Sequence, residues 1–199
     1  MNAPLSGLAP HEIGSITRGE DGRTVLVQQR MWAVEPATLW AALTDPRYTP
    51  AWLGELDAPL SGAGTVRIDH GGGATSEVVV RDVDPGRSVD TSWRTTGEGR
   101  ADVRIEIGEP AAAHYPSSTG SPEVGREVDD APVQVLLTLT YACDDEEQVR
   151  SALGGWFGFL DALGDLFEQV PETGVGSPAL RAIQRLAAAV ELGRMLPVG

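Results

Sequence analysis

The residues best equipped for chemistry are few and scattered: three histidines, His11, His70 and His114, and one cysteine, Cys143. A metal site needs ligands at spacings such as i, i+4 on a helix, and none of these histidines has such a partner. A reactive thiol needs a neighbour that favours thiolate. No histidine lies close to Cys143 in sequence, so it reads as a small packing residue. His70-Gly71-Gly72-Gly73-Ala74 has the glycine content of a phosphate loop. Its strand–loop–strand order lacks the helix N-terminus that makes such loops bind phosphate, so a hairpin connection is the better reading. Asp144-Asp145-Glu146-Glu147 precedes the longest helical pattern, where acids complement the helix dipole. No Gly-x-Ser-x-Gly elbow occurs. No catalytic residue, metal or cofactor is expected.

The aromatics carry more information. Trp52, Trp93, Tyr141 and Trp156 fall on elements that can surround one interior, and buried Trp and Tyr need partners for their N–H or O–H groups. Together with Ile68, His70, Ile105, Leu137 and Leu160 they form the candidate lining of a hydrophobic cavity. His70 shares the parity of Val66 and Ile68, which would point it inward near the mouth; a solvated turn is the competing position. Trp40 reads as core filling.

The elements that would hold these residues follow from periodicity. Thr24–Trp32 is rich in β-branched and apolar residues and reads as a strand. Leu39, Trp40 and Leu43 share a face of a short helix opened by Pro36. Asp45-Pro46 offers the start of a second short helix ending near Gly54. The period then becomes two: Val66 and Ile68, Ser76 to Val83, Arg87 to Thr95, and Val103, Ile105 and Ile107 against Asp102, Arg104 and Glu106. Short turns join them, as in an antiparallel meander. Residues 109–131 are rich in Pro, Ser, Gly and acids and read as an inserted loop. Val133–Tyr141 resumes as a strand. The last long helix then carries Leu153, Trp156, Leu160, Leu163 and Phe167 as one apolar stripe, widened by Phe159 and Leu166. Its glycines, each costing about 1 kcal/mol relative to Ala, suggest close approach to the sheet. A further helix is predicted over 177–193, with Leu180, Ile183 and Val190 on one face, a candidate homodimer contact.

These 199 residues therefore divide into a flexible arm over 1–20, one α+β domain over 21–170 and the additional C-terminal helix. The fold predicted is a helix grip, a curved antiparallel sheet wrapped around a long C-terminal helix. The formal net charge is -14 and all fifteen basic residues are Arg. So acidic a chain is repelled by phosphate backbones and anionic membranes, and nucleic-acid and membrane partners are not expected. There is no apolar run of the roughly 20 residues that span a bilayer, and Met1 to Pro10 lacks the pattern of a signal peptide. A cytoplasmic location is the expectation, in keeping with a single cysteine that cannot form an internal disulfide.

Several local motifs resemble a known family. Asp21-Gly22-Arg23-Thr24-Val25-Leu26, Val34-Glu35-Pro36 followed by Leu39 to Pro46, Trp52-Leu53-Gly54, Thr91-Ser92-Trp93, and Gly155-Trp156 with Leu160-Asp161 and Leu163 are similar, in this order, to the activator of heat-shock-protein-90 ATPase homologue family of the START-like (SRPBCC) superfamily. The resemblance covers roughly residues 20 to 170. It implies a helix-grip fold around a cavity and a small apolar or aromatic ligand bound without catalysis. It also brings two alternatives: a cyclase- or hydrolase-type enzyme using Tyr141 or His70 as proton donor, and a co-chaperone-like or dimeric interaction module. Relatives carry His where this chain has Tyr141 and Phe157.

Overall fold

The computed structural model describes residues 14–112 and 133–167. Nine strands and two α-helices lie among them: β1 Ser15–Arg18, β2 Thr24–Trp32, α1 Pro36–Thr44, β3 Glu55–Leu56, β4 Gly64–Gly71, β5 Ala74–Asp84, β6 Ser88–Thr95, β7 Arg100–Ile107, β8 Ala111–Ala112, β9 Val133–Cys143 and α2 Glu146–Phe167. All pairings are antiparallel, in the order β1-β2-β9-β7-β6-β5-β4-β3, with the two-residue β8 on β9. This is the α+β helix-grip architecture expected. His11, His114, most of the inserted loop and the 177–193 helix with its dimer contact lie outside the described residues.

The strand alternation holds. Val103, Ile105 and Ile107 are buried while Asp102, Arg104 and Glu106 are half-buried on the outer face. Val135, Leu137, Leu139 and Tyr141 share the inner face of β9. Two edges escaped the pattern. β1 falls within the stretch read as an arm and pairs Ser15–Arg18 with Val27–Thr24; with only Ile16 buried, it offers no apolar alternation to recognise. β8 occupies the opening of the stretch read as a loop.

The second short helix does not form as an α-helix. The Asp45 carboxylate accepts the Arg47 N–H at 2.9 Å, and only a three-residue 3-10 turn, Thr49–Ala51, follows. Pro50 has no N–H to give the Pro46 carbonyl, so α-helical bonding cannot propagate. The turn is instead fixed by Trp52, whose indole N–H donates to the Ala42 carbonyl at 2.9 Å.

α2 begins where the acid cluster predicted. Asp145 accepts the N–H groups of Glu147 at 2.9 Å and Gln148 at 3.3 Å through one carboxylate oxygen, capping the helix. Leu153, Trp156, Leu160 and Leu163 are buried, and Phe167 meets Trp32 edge-on with centroids 5.8 Å apart. Leu166 is exposed and does not widen the stripe. Gly164 permits close packing as expected, since a Cβ there would lie 3.0 Å from the Trp32 indole nitrogen.

The outer face is tied by charge. The register shift between Val80 and Asp82 turns Arg81 across the sheet. Its guanidinium reaches Asp90 at 2.7 Å, Asp102 at 2.6 Å and the Thr91 carbonyl at 3.0 Å. Asp102 also accepts from Arg23 at 2.6 Å. Partial burial would raise the Asp102 pKa, but Arg23 and Arg81 outweigh that and hold it below the usual value. A carboxylate with a depressed folded pKa stabilises the fold above its unfolded value, about 3.9, and that contribution disappears as pH falls through the lower folded value. Asp102→Asn is therefore expected to cost on the order of 1 kcal/mol at neutral pH, a modest figure because the network is solvent-screened. Urea midpoints of wild type and variant should begin to approach each other only as pH falls below ~4 and meet once it passes the lower folded value. A constant gap between the two across the acid range would show that ionisation of Asp102 contributes nothing.

Candidate functional site

A pocket of about 230 Å³ opens between the N-terminal half of α2 and the β4–β6 side of the sheet. Its walls come from five places. Trp156, Phe159, Gly155 and Ser151 belong to α2, and Trp93 and Thr95 to the end of β6. Tyr141 belongs to β9, while His70 and Ala74 flank the β4–β5 hairpin; Glu98 lies at the mouth, in the β6–β7 turn.

The aromatic wall is continuous. Trp93 and Trp156 meet edge to face at 5.3 Å, Trp156 and Phe159 at 5.8 Å, and Phe159 stacks on His70 at 5.7 Å. Such pairs contribute about 0.5–1.5 kcal/mol each beyond their area burial. Trp52 satisfies its indole N–H within the core, whereas neither Trp93 nor Trp156 donates its indole N–H to any group among the described residues.

Gly155 is the opening in this wall. A Cβ built there meets nothing within 4 Å, so this glycine is not required by close packing against the sheet. Close approach, expected for the helix glycines generally, applies to Gly164 and not to Gly155. What the bare backbone at Gly155 leaves is the space of the pocket itself.

Two polar systems border that space. His70 Nδ1 lies 2.8 Å from the Leu53 carbonyl, which can only accept, so Nδ1 carries a proton. In the neutral ring Nε2 then accepts from the Ser76 hydroxyl at 2.7 Å, and Ser76 accepts from Thr95 at 3.0 Å. Hydroxyl, imidazole and carbonyl stand here in the order of a nucleophile, a base and its orienting group. Ser76 is only 1% exposed and does not line the pocket, so no substrate reaches it. The chain instead locks the hairpin to the turn before β3.

The second system is Tyr141 and Gln148. Gln148 Oε1 accepts the Gly99 N–H at 3.1 Å, which fixes the amide orientation. Its Nε2 donates to the Gly99 carbonyl at 3.1 Å and to the Tyr141 hydroxyl at 2.6 Å. Burial pushes the Tyr141 pKa far above the usual tyrosine value, against the opposing hydrogen bond from Gln148. The phenol therefore stays protonated and can donate. Cys143 is also buried; burial raises its pKa, and its Sγ donates to the Asp145 carbonyl at 3.2 Å. It packs, as its sequence context suggested. No group of three or more His, Cys, Asp or Glu residues suited to a metal occurs among the described residues.

Of the nine candidate lining residues, the structure brings His70, Trp93, Tyr141 and Trp156 together around the pocket. The other five do not line it. Ile68, Leu137 and Leu160 are sealed in the core, with Ile105 and Trp52 almost fully buried beside them. Strand parity places a side chain on the inner face, but among the described residues the helix covers most of that face, and this pocket opens at its hairpin end. Ala74, Thr95, Glu98, Ser151, Ala152, Gly155 and Phe159 line the pocket without having been among the candidates, Phe159 having been read only as widening the helix stripe. A helix-interior glycine was the available signal for Gly155; the turn residues gave none.

The family described as Activator of Hsp90 ATPase homolog 1-like protein matches residues 33–168, more than half of the chain. The chain belongs to this family. Solved structures with the same fold include CalU16 from Micromonospora echinospora, at 19% identity and a TM-score of 0.58, covering 90% of this chain and 95% of that one. EF2215 from Enterococcus faecalis, a conserved protein of unknown function, gives 15% identity and a TM-score of 0.61, covering 92% of each chain. DynU16, a putative protein in the dynemicin biosynthetic locus, gives 23% identity and a TM-score of 0.56 over 74% of this chain. This AHSA1-type chain spans about half the DynU16 chain, 48% of it. At these identities the likeness establishes the fold alone. No curated protein matches the sequence. No helix among the described residues is long and apolar enough to cross a membrane.

Proposed function

We propose that this AHSA1-type domain is a non-catalytic binding protein for a small aromatic or apolar molecule held between α2 and the sheet. The observation that carries the reading is Gly155, a helix-interior glycine with empty space beyond it, set in a wall of Trp93, Trp156, Phe159 and Tyr141. Glycine at such a position costs about 1 kcal/mol of helix stability, and no packing contact explains it. A concave apolar site with a few convergent polar groups is the usual form of a small-molecule pocket. Its size also bounds the occupant. An apolar cavity of about 150 Å³ accommodates benzene, so about 230 Å³ suits one or two fused rings.

A general acid–base reading would draw on Tyr141 or His70. His70 has both ring nitrogens engaged by Leu53 and Ser76, and burial makes the Tyr141 hydroxyl a far weaker acid than an ordinary tyrosine, able to donate a hydrogen bond but reluctant to give up its proton. These features support binding over turnover. Native mass spectrometry of the full chain as isolated, with fluorescence titration by naphthalene derivatives, tests the proposal. A retained small-molecule mass, or saturable uptake at one site, supports it. A folded protein with neither overturns it.

A further inference from the structure

Resting on the pocket reading above, the chemistry that the pocket selects is set by the polar groups at its border. The polar groups around the aromatic wall are not equivalent. The chain from Leu53 through His70 and Ser76 has a direction set by a backbone carbonyl that can only accept. With the ring neutral, Thr95 uses its proton on Ser76 and is left to act at the pocket as an acceptor. Glu98 at the mouth is likewise an acceptor. Tyr141 is the opposite: its hydroxyl oxygen already receives a proton from Gln148, whose orientation is fixed by the Gly99 N–H. Its own proton meets no acceptor among the described residues. A buried hydroxyl in this state is a directed donor.

Charge narrows the class further. The mouth carries the Glu98 carboxylate and the whole chain has a net charge of -14, so an anionic oxygen is repelled where a neutral one is not.

We infer that the pocket selects neutral aryl carbonyl compounds, the ring lying against Trp93, Trp156 and Phe159 and the carbonyl oxygen accepting the Tyr141 hydroxyl proton. Gln148 is the positioning residue, because it keeps the Tyr141 oxygen occupied as an acceptor and leaves only its proton to offer. Ligands of the same shape without the oxygen leave that proton unpaired and bind more weakly.

The test uses the full chain with three probes of similar size: acetylnaphthalene, the hydrocarbon isopropenylnaphthalene and the anion naphthoate. Wild type should bind acetylnaphthalene about tenfold more tightly than the hydrocarbon, the size expected for one well-made hydrogen bond. Naphthoate should bind more weakly than acetylnaphthalene. Tyr141→Phe should bring the ketone and the hydrocarbon to equal affinity. Independently of any variant, the infrared carbonyl stretch of bound acetylnaphthalene should move to lower frequency in wild type, and in a folded Tyr141→Phe it should not. Equal affinity for ketone and hydrocarbon in wild type, an unshifted carbonyl, a ketone preference that survives Tyr141→Phe, or tighter binding of naphthoate each overturns the inference while leaving a pocket that binds rings. Failure of all three probes to bind wild type overturns the pocket reading as well.

Discussion

Gly155→Leu is expected to weaken naphthalene-probe binding by about a hundredfold or more, roughly 2.7 kcal/mol, in a protein as stable as wild type or more so. Both halves of this outcome come from one observation. A Cβ at this position meets nothing within 4 Å and Gly155 lines the pocket, so a side chain can start there without a clash and is expected to extend into the space that a ligand would need. Leucine is also the better helix former by about 0.8 kcal/mol. Gly155→Ala separates the two effects: a single methyl should stabilise α2 by up to about 1 kcal/mol and leave most of the pocket. Loss of binding with gain of stability is a combination that simple disruption of the core cannot produce. Unchanged probe affinity in a folded Gly155→Leu protein would place the binding site elsewhere.

Gly54→Ala is expected to cost about 3 kcal/mol and to loosen His70. Gly54 has φ +140°, a backbone region that alanine enters only under strain of about 1–3 kcal/mol. A Cβ there would also collide with the Asp69 carbonyl and lie 3.1 Å from the His70 Cα. Neither neighbour is a flexible side chain, so the turn before β3 must move away from β4. The adjacent Leu53 carbonyl, the acceptor for His70 Nδ1, moves with it. The thermal midpoint should fall by roughly 10 °C, and the imidazole resonances of His70 should shift or broaden. A near-neutral midpoint would mean that the turn and β4 relax independently of one another.

These two glycines also show what the amino-acid sequence can and cannot reveal. Gly54 was legible as a terminator after Trp52-Leu53, although the turn it ends is a 3-10 turn, because Pro50 forbids the α-helix that Asp45-Pro46 suggests. Gly155 was legible as a helix glycine but carried the wrong explanation. Close packing and empty space both call for a missing side chain, and only coordinates distinguish them. The meander and the Leu153-to-Leu163 stripe were readable because their burial has a period. Period assigns a face, though, and not a depth along it. Ile68 and His70 share parity on β4, yet the first is sealed in the core and the second reaches the pocket. The Tyr141–Gln148–Gly99 arrangement joins three separate elements and could not be seen from spacing alone.

The sheet order gives the two sides of the pocket unequal stiffness. α2 follows β9 directly and packs its backbone against β9, β2 and the 3-10 turn. Across the pocket, His70 and Trp93 reach it through ring contacts from strands five and three places from β2 along the sheet. The β4–β5 connection ends in Gly71, Gly72 and Gly73, all at positive φ, with open space where their side chains would be. Widening the pocket by moving α2 would break the packing of a sealed core. Bending only the hairpin end of β4 and β5 outward would first disturb the aromatic edges and the histidine relay, ahead of Ile68 and Val78, which are sealed farther along the same strands. If the pocket binds as proposed, a guest slightly larger than the resting volume is expected to be accommodated at the hairpin end, with the helix as the fixed reference against which the guest is measured.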